Sequence, residues 1–228
     1  MRLEDMNWFD VESYLKKDDR LMLVLGACEQ HGYLSLLTDV KIPLALADAA
    51  SKESGVIIAP ALNFGVSPYH LAYPGTISLR VTTLLDLVED LVQSAFRHGF
   101  RRILVLNGHE GNEAARGRLY ELANRLPNLR MRWYAWWHSH SVEAVARKHN
   151  LKLSHGGWSE AFPFTKVSDL PKGTKNPANI AGLLSADESR QAYGDGIFGG
   201  PYQVDENITQ EIFVAAFQDV LYLLRFDE

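Results

Sequence analysis

The chain has 228 residues, 46% hydrophobic and 22% charged, enough to bury a sizeable core as one globular unit. Its formal net charge is -5, with Lys and Arg interspersed among Asp and Glu, so no basic stripe exists to neutralise a phosphate backbone and nucleic acid is excluded as an expected partner. A single cysteine, Cys28, excludes an internal disulfide and any Cys-rich zinc module and suits a reducing compartment, the cytoplasm.

The N-terminal run Met1 to Trp8 is acidic where a signal peptide would be basic, and no apolar run approaches the roughly 20 residues needed to span a bilayer. No membrane partner is expected. Leu21 to Gly26 form a continuous apolar run bounded by Asp18 and Asp19, which suits a strand buried on both faces. Val56 to Pro60, Ile103 to Leu106 and Met131 to Trp137 repeat that pattern. Helices are predicted between them over Pro43 to Ser54, Thr83 to Arg97 and Gly111 to Leu126, and beyond them over Ser139 to His149. In the second of these Leu84, Leu87, Val88, Leu91, Val92 and Ala95 recur at helical spacing, and Gly99 supplies a left-handed stop. Residues 166 to 205 are rich in Gly and Pro without periodicity and read as a long functional loop. Ile208, Ile212, Ala216, Val220, Leu223 and Leu224 predict a closing amphipathic helix. The alternation of strand and helix implies a mostly parallel sheet in an α/β fold, with residues 1 to 228 forming one domain.

Three short segments carry the chemistry. Glu29-Gln30-His31-Gly32 is followed by Thr38 and Asp39; then come Asn107-Gly108-His109, and finally His155 with Glu160. Each begins just after a strand-like run, where open α/β sheets bind their ligands. Carboxylates and imidazoles are the donors that Zn2+, Mn2+ or Fe2+ prefer, so the set points to metal-dependent hydrolysis. His31 lies two residues beyond Glu29, and in an extended backbone both side chains project to the same side. Either residue alone would read as an ordinary polar residue on a surface loop; together with His109 they point to a metal centre.

The segments G-A-C-E-Q-H-G, Y-P-G-T-I-S-L, V-L-N-G-H-E-G-N and H-G-G-W-S-E-A, spread over residues 26 to 161, resemble the signatures of the creatininase (creatinine amidohydrolase) family in the family's order. The resemblance implies a three-layer α/β/α fold, a centre of one or two divalent ions, hydrolysis of an amide or related C–N bond in a small-molecule substrate, and a homo-oligomer, often a hexamer. Carried over by position, it makes Glu29, His31, Asp39 and His109 metal ligands, with Asp39 bridging where two ions bind. Glu160 matches the glutamate of the family's H-A-G-x-x-E-T segment and is preferred as fifth ligand. Glu110 is the competitor, but creatininase carries its ligating glutamate one position further on, where this chain has Gly111. Adjacent side chains diverge, so Glu110 is expected to face solvent or cap the following helix. His155 occupies the place of a catalytic histidine, and an imidazole is suited to carry a proton to the leaving nitrogen.

The chemistry so implied is attack on a carbonyl by a metal-bound hydroxide, with a second cation stabilising the oxyanion. The alternative is a non-catalytic ligand-binding or regulatory protein on the same scaffold. Departures from the family pattern bear on the substrate. Tyr33-Leu34-Ser35-Leu36 replace the family's P-H-L-P, Asp39 comes one residue early, and H-G-G-W replaces H-A-G-E. These changes argue against creatinine itself and leave a small cyclic amide or a formamide as the expected substrate. Ser67 to His70 match the family's S-x-E-H segment except at Tyr69; His70 is a candidate to line the pocket, with a structural role as the preferred reading. Trp133, Tyr134, Trp136, Trp137 and Trp158 offer flat apolar surface, but most are expected in the core, and on one strand Trp136 would point away from Trp133 and Trp137. Cys28 has no His/Asn arrangement that would make it a nucleophile and is expected to be buried at a strand end.

Overall fold

The computed structural model describes residues 1–178, 180 and 182–226. Four strands, β1 (Arg20–Leu25), β2 (Ile57–Ile58), β3 (Arg102–Asn107) and β4 (Arg130–Ala135), form one sheet in the order β2-β1-β3-β4, and every pairing is parallel. Strand side chains alternate between two faces, and each face meets its own helical layer. Met22, Val24, Leu104 and Leu106 pack with α2 (Thr38–Ser54), α5 (His140–Lys148) and α7 (Glu206–Leu224). Leu21, Leu23, Leu25, Ile103 and Val105 pack with α3 (Val81–His98) and α4 (Ala115–Arg125), flanked by α1 (Trp8–Leu15). The expected three-layer α/β/α architecture is therefore present. Among the described residues no helix is long and apolar enough to cross a membrane.

The structure departs from the periodicity reading at several element ends. Helix α2 begins at Thr38, five residues before the expected start at Pro43. Ser35 explains this, because its carbonyl accepts from both the Thr38 N–H and the Thr38 hydroxyl and sets the first turn. Pro43 is then inside the helix, where it lacks the N–H that the Asp39 carbonyl would accept. Gly108, at the end of β3, packs directly over that carbonyl, and a Cβ at Gly108 would collide with it and with Pro43. Strand β4 stops at Ala135, since Trp136–His138 turn into a single 3-10 turn. Another 3-10 turn over Glu110–Ala114 delays α4 to Ala115.

Within the expected long loop the chain builds α6 (Ala186–Tyr193) and a small antiparallel pair of β5 (Thr174–Lys175) with β6 (Gly200–Pro201); positions 179 and 181 lie outside the described residues. Helix α6 buries only Ser189, so it carries no apolar stripe. Its capping box, Ser185 with Glu188, was the readable signal. Helix α1 announces itself the same way through Asn7 and Asp10.

Leu104 is fully buried in the central β3, whereas Leu91 on α3 is partly solvent-exposed. Replacing Leu104 with Ala should lower unfolding free energy by about 2–5 kcal/mol, and Leu91→Ala by about 1 kcal/mol or less, measured by urea denaturation.

Candidate metal centre

Because β1, β3 and β4 run in parallel, the segments that follow them emerge at one sheet edge. There Glu29, His31, Asp39 and His109 are all buried, with His155 and Glu160 partly so. Asp39, in the first turn of α2, lies between two rings. Its Oδ1 is 2.9 Å from His31 Nε2 and its Oδ2 is 2.9 Å from His109 Nδ1. Glu29 Oε2 stands 3.7 Å from His109 Nε2, and Glu160 Oε2 stands 3.9 Å from His31 Nε2. The loop that is one residue short of the family pattern thus still delivers Asp39 between both imidazoles.

Backbone carbonyls orient the two rings. His31 Nδ1 lies 3.1 Å from the Glu29 carbonyl, and His109 Nε2 lies 2.9 Å from the Val66 carbonyl with Ser67 Oγ at 3.1 Å. A carbonyl only accepts, so each of those nitrogens carries the proton and the opposite nitrogen, facing Asp39, is the lone-pair atom of the neutral ring. A lone pair 2.9 Å from a carboxylate is repulsive, so each of these nitrogens takes up a proton in the metal-free protein and offers its lone pair to a cation when one displaces that proton. Consistently, Glu29 Oε2, His31 Nε2 and Asp39 Oδ2 are buried polar atoms with no hydrogen-bond partner of acceptable alignment. The residues fit a divalent cation. Glu29, Asp39 and His109 bring ligand atoms within 4.8 Å of one another, as do His31, His155 and Glu160.

The local sequence holds this arrangement in place. The Asn107 side chain donates to the His109 carbonyl and accepts from the His109 N–H, fixing the turn at the end of β3. The Gly156 N–H donates to Glu160 Oε2 at 2.6 Å. Glu110 is exposed at the cavity rim, while Glu160 is the carboxylate beside His31. Position 111 cannot host a ligand here, because a Cβ on Gly111 would collide with the Val66 carbonyl.

Electrostatics follow from burial and proximity. Burial opposes charging of His31, but Asp39, then Glu160 and Glu29, outweigh it and push its pKa up to about 10. His109 is raised to about 9 in the same way, against burial, by Glu29 and Asp39. Burial works against the Asp39 carboxylate too, but His31 and His109 hold it below the usual range. Burial pushes Glu29 up and Glu160 up to about 7. His155 is driven well below the ordinary histidine range by burial and then by the charge of His31.

Other residues that reach the site were read differently from the sequence. His70, preferred as structural, is fully buried, lies 3.6 Å from Glu29 Oε1 and stacks on His155 with ring centroids 5.0 Å apart. Trp136 and Trp137 both line the cavity, since the 3-10 turn ends the strand alternation that would have separated them. Trp158 is core, and Trp133 packs on the opposite sheet face, donating to Glu113. Phe198, from the loop region, packs on His155 at 4.7 Å, and nothing in its local sequence marked it. Cys28 is only half-buried, its thiol donating to the Gly75 carbonyl at 3.3 Å. The cavity is about 270 Å3. A larger apolar one of about 810 Å3 lies between α1 and α3, away from these residues.

The family model described as creatininase, creatinine amidohydrolase, matches residues 4–224, and the chain belongs to the creatininase family. Members of that family are metal-dependent hydrolases acting on non-standard amide bonds. The chain is 33% identical over 115 residues to creatinine amidohydrolase of Pseudomonas putida, covering 47% of this chain and 44% of that protein. It is also 33% identical over 102 residues to the mycofactocin precursor peptide peptidase of Mycolicibacterium smegmatis, covering 42% of this chain and 41% of that one. The matched stretch thus spans less than half the length of these curated relatives. The solved structure of creatininase Mn is similar in fold, with a TM-score of 0.85 at 23% identity over 98% of this chain and 97% of that one.

With pKa values of about 10 and 9, His31 and His109 hold protons at neutral pH in the metal-free protein, and a cation must displace them. Zn2+ or Mn2+ uptake should therefore release on the order of one proton per imidazole. Affinity should rise with pH until both rings have lost their protons, at about 9 for His109 and about 10 for His31, as measured by titration calorimetry in buffers of differing ionisation enthalpy.

Proposed function

We propose that this protein is a metal-dependent amidohydrolase that cleaves a C–N bond in a small cyclic amide or formamide. In this reading Glu29, Asp39 and His109 would hold one divalent ion, and His31, Asp39 and Glu160 would hold a second. The observation that carries it is the pair of carbonyl-oriented imidazoles whose free nitrogens both face one buried carboxylate. When bound, Zn, Mn or Fe ions would supply Lewis acidity, acidifying water toward neutrality and polarising the scissile carbonyl.

The protein's own groups do the rest. His155, beside Glu29 at 3.8 Å and inside the cavity, moves a proton to the departing nitrogen, without which the amine is a poor leaving group. Tyr69, Trp136, Trp137 and Phe198 present flat apolar walls, and they exclude water and orient a planar molecule. A volume of about 270 Å3 is at the small end of ligand pockets, which favours a compact substrate over an extended peptide. The same reading takes residues 1–228 as one creatininase-like domain that assembles as a cytoplasmic homo-oligomer.

The test is elemental analysis by plasma mass spectrometry on protein purified without added metal, followed by a screen of cyclic amides and formamides with the metal found. One to two equivalents per chain are expected. Repeated absence, even after incubation with each ion, would replace the hydrolase reading with the ligand-binding one. Glu160→Gln should lose about one equivalent while Glu110→Gln keeps both. Retention of full metal by the double variant Glu29→Ala, His109→Ala would sink the ligand set. Once a substrate is in hand, His155→Ala should lower kcat by roughly 10²–10⁴-fold with metal content unchanged.

A further inference from the structure

Tyr69 is the one position of the Ser67 to His70 segment that departs from the S-x-E-H pattern, and its side chain lines the cavity beside the metal cluster. The 3-10 turn Pro68–His70 places it there. The His70 N–H closes that turn on the Ser67 carbonyl at 3.2 Å, and Arg190 of α6 ties down the following residues by donating to the Ala72 carbonyl at 2.8 Å. The Tyr69 ring packs on His70 with centroids 4.2 Å apart, and His70 lies 3.6 Å from Glu29 Oε1. One imidazole therefore separates Tyr69 from Glu29.

The half-buried Tyr69 hydroxyl makes no hydrogen bond among the described residues. Tyr14, Tyr134 and Tyr202, by contrast, donate to the Arg20 carbonyl, to Asp219 and to Asp195. The carboxylates whose charge reaches the Tyr69 oxygen, Glu29, Asp39 and Glu110, all line the same cavity, which puts that oxygen on the cavity side. A phenol keeps its proton through neutral pH and donates it, whereas an ionised glutamate only accepts. Tyrosine in place of the acidic residue thus reverses what this wall needs from an occupant, which must supply an acceptor.

The surrounding charges narrow the kind of acceptor. Among the described residues no Lys or Arg lines the cavity, and Glu110 adds a carboxylate at its rim. An anionic acceptor would meet that carboxylate with no cationic side chain in the wall to offset it, whereas a carbonyl oxygen accepts without a net charge. The scissile carbonyl belongs at the metal cluster, so the hydroxyl is left for another one on the same compact ring. We infer that Tyr69 is a specificity residue whose hydroxyl donates to a second carbonyl of the substrate, and that the substrate is a cyclic imide or ureide, a ring with carbonyls on both sides of one nitrogen. The inference rests on the hydrolase reading and narrows its substrate class.

Succinimide and 2-pyrrolidinone are matched probes, since both are five-membered ring amides and the imide adds only the second carbonyl. Their dissociation constants are measured by ligand-observed NMR titration at neutral pH, where both rings are uncharged, on the protein as purified and after loading with Zn2+. The parent should bind succinimide on the order of 2- to 10-fold more tightly, the worth of one neutral hydrogen bond. Tyr69→Phe removes the hydroxyl but keeps the ring against His70. In that variant the ratio should fall to about one through loss of succinimide affinity alone, with metal content unchanged. A ratio near one in the parent overturns the inference, as does a preference that survives in Tyr69→Phe. Equal weakening of both probes overturns it too, because it places the hydroxyl on the carbonyl they share. Binding is read without turnover, so a protein that takes up no metal would end the hydrolase reading while the ratio and its loss in Tyr69→Phe still decide the role of the hydroxyl.

Discussion

The structure is organised around one buried carboxylate held between two imidazoles. Asp39 reaches His31 and His109 at 2.9 Å each, and these three residues come from different elements. His31 follows β1, Asp39 opens α2, and His109 follows β3. They meet because β1 and β3 are adjacent and parallel, paired from Arg20 with Arg102 to Leu25 with Asn107. Close approach of backbone to backbone completes the convergence. The Gly108 N–H donates to the Leu25 carbonyl at 2.8 Å, which ties the two strand ends together. Gly108 also lets α2 come down onto β3 with no side chain between them.

A cluster of this kind opposes folding on its own. Carboxylates removed from water carry a desolvation penalty that ion pairing only partly offsets, and here Glu29, Asp39 and Glu160 share one small volume with four imidazoles. The directions of the pKa shifts express that conflict. Burial raises Glu29 and Glu160, while Asp39, flanked by two rings, goes the other way. Such strain persists where the surrounding core over-determines the geometry. Two apolar layers supply that core, one on each sheet face. A cation at the cluster would relieve the repulsion, which couples occupancy of the site to stability.

Much of this was legible from residue type and spacing. The apolar runs of β1 and β3 gave the central strands because both faces of a parallel sheet are covered, and the E-Q-H-G and N-G-H segments directly after them marked the chemically active edge. Elements without an apolar stripe were not legible that way. Helix α6 buries Ser189 alone, and α1 buries none of its residues fully, so only their caps identify them. The start of α2 was misplaced because proline is common in the first helical turn, while the actual start depends on the Ser35 carbonyl. Phe198 was not placed in the site and His70 was preferred as structural, since their neighbours are brought from distant segments.

By itself the sequence determined the fold class, the strand-end segments and the set of candidate donors, because hydrophobic periodicity and ligand chemistry are local properties. Tertiary structure decided which donors meet. It set Glu160 rather than Glu110 beside His31, because position 111 lies against the Val66 carbonyl and the turn at 110 faces outward. It also fixed which ring nitrogens face Asp39, through carbonyls of Glu29 and Val66. Those relations join distant parts of the chain, the His109–Val66 contact alone spanning 43 residues, and no spacing rule along the chain encodes them.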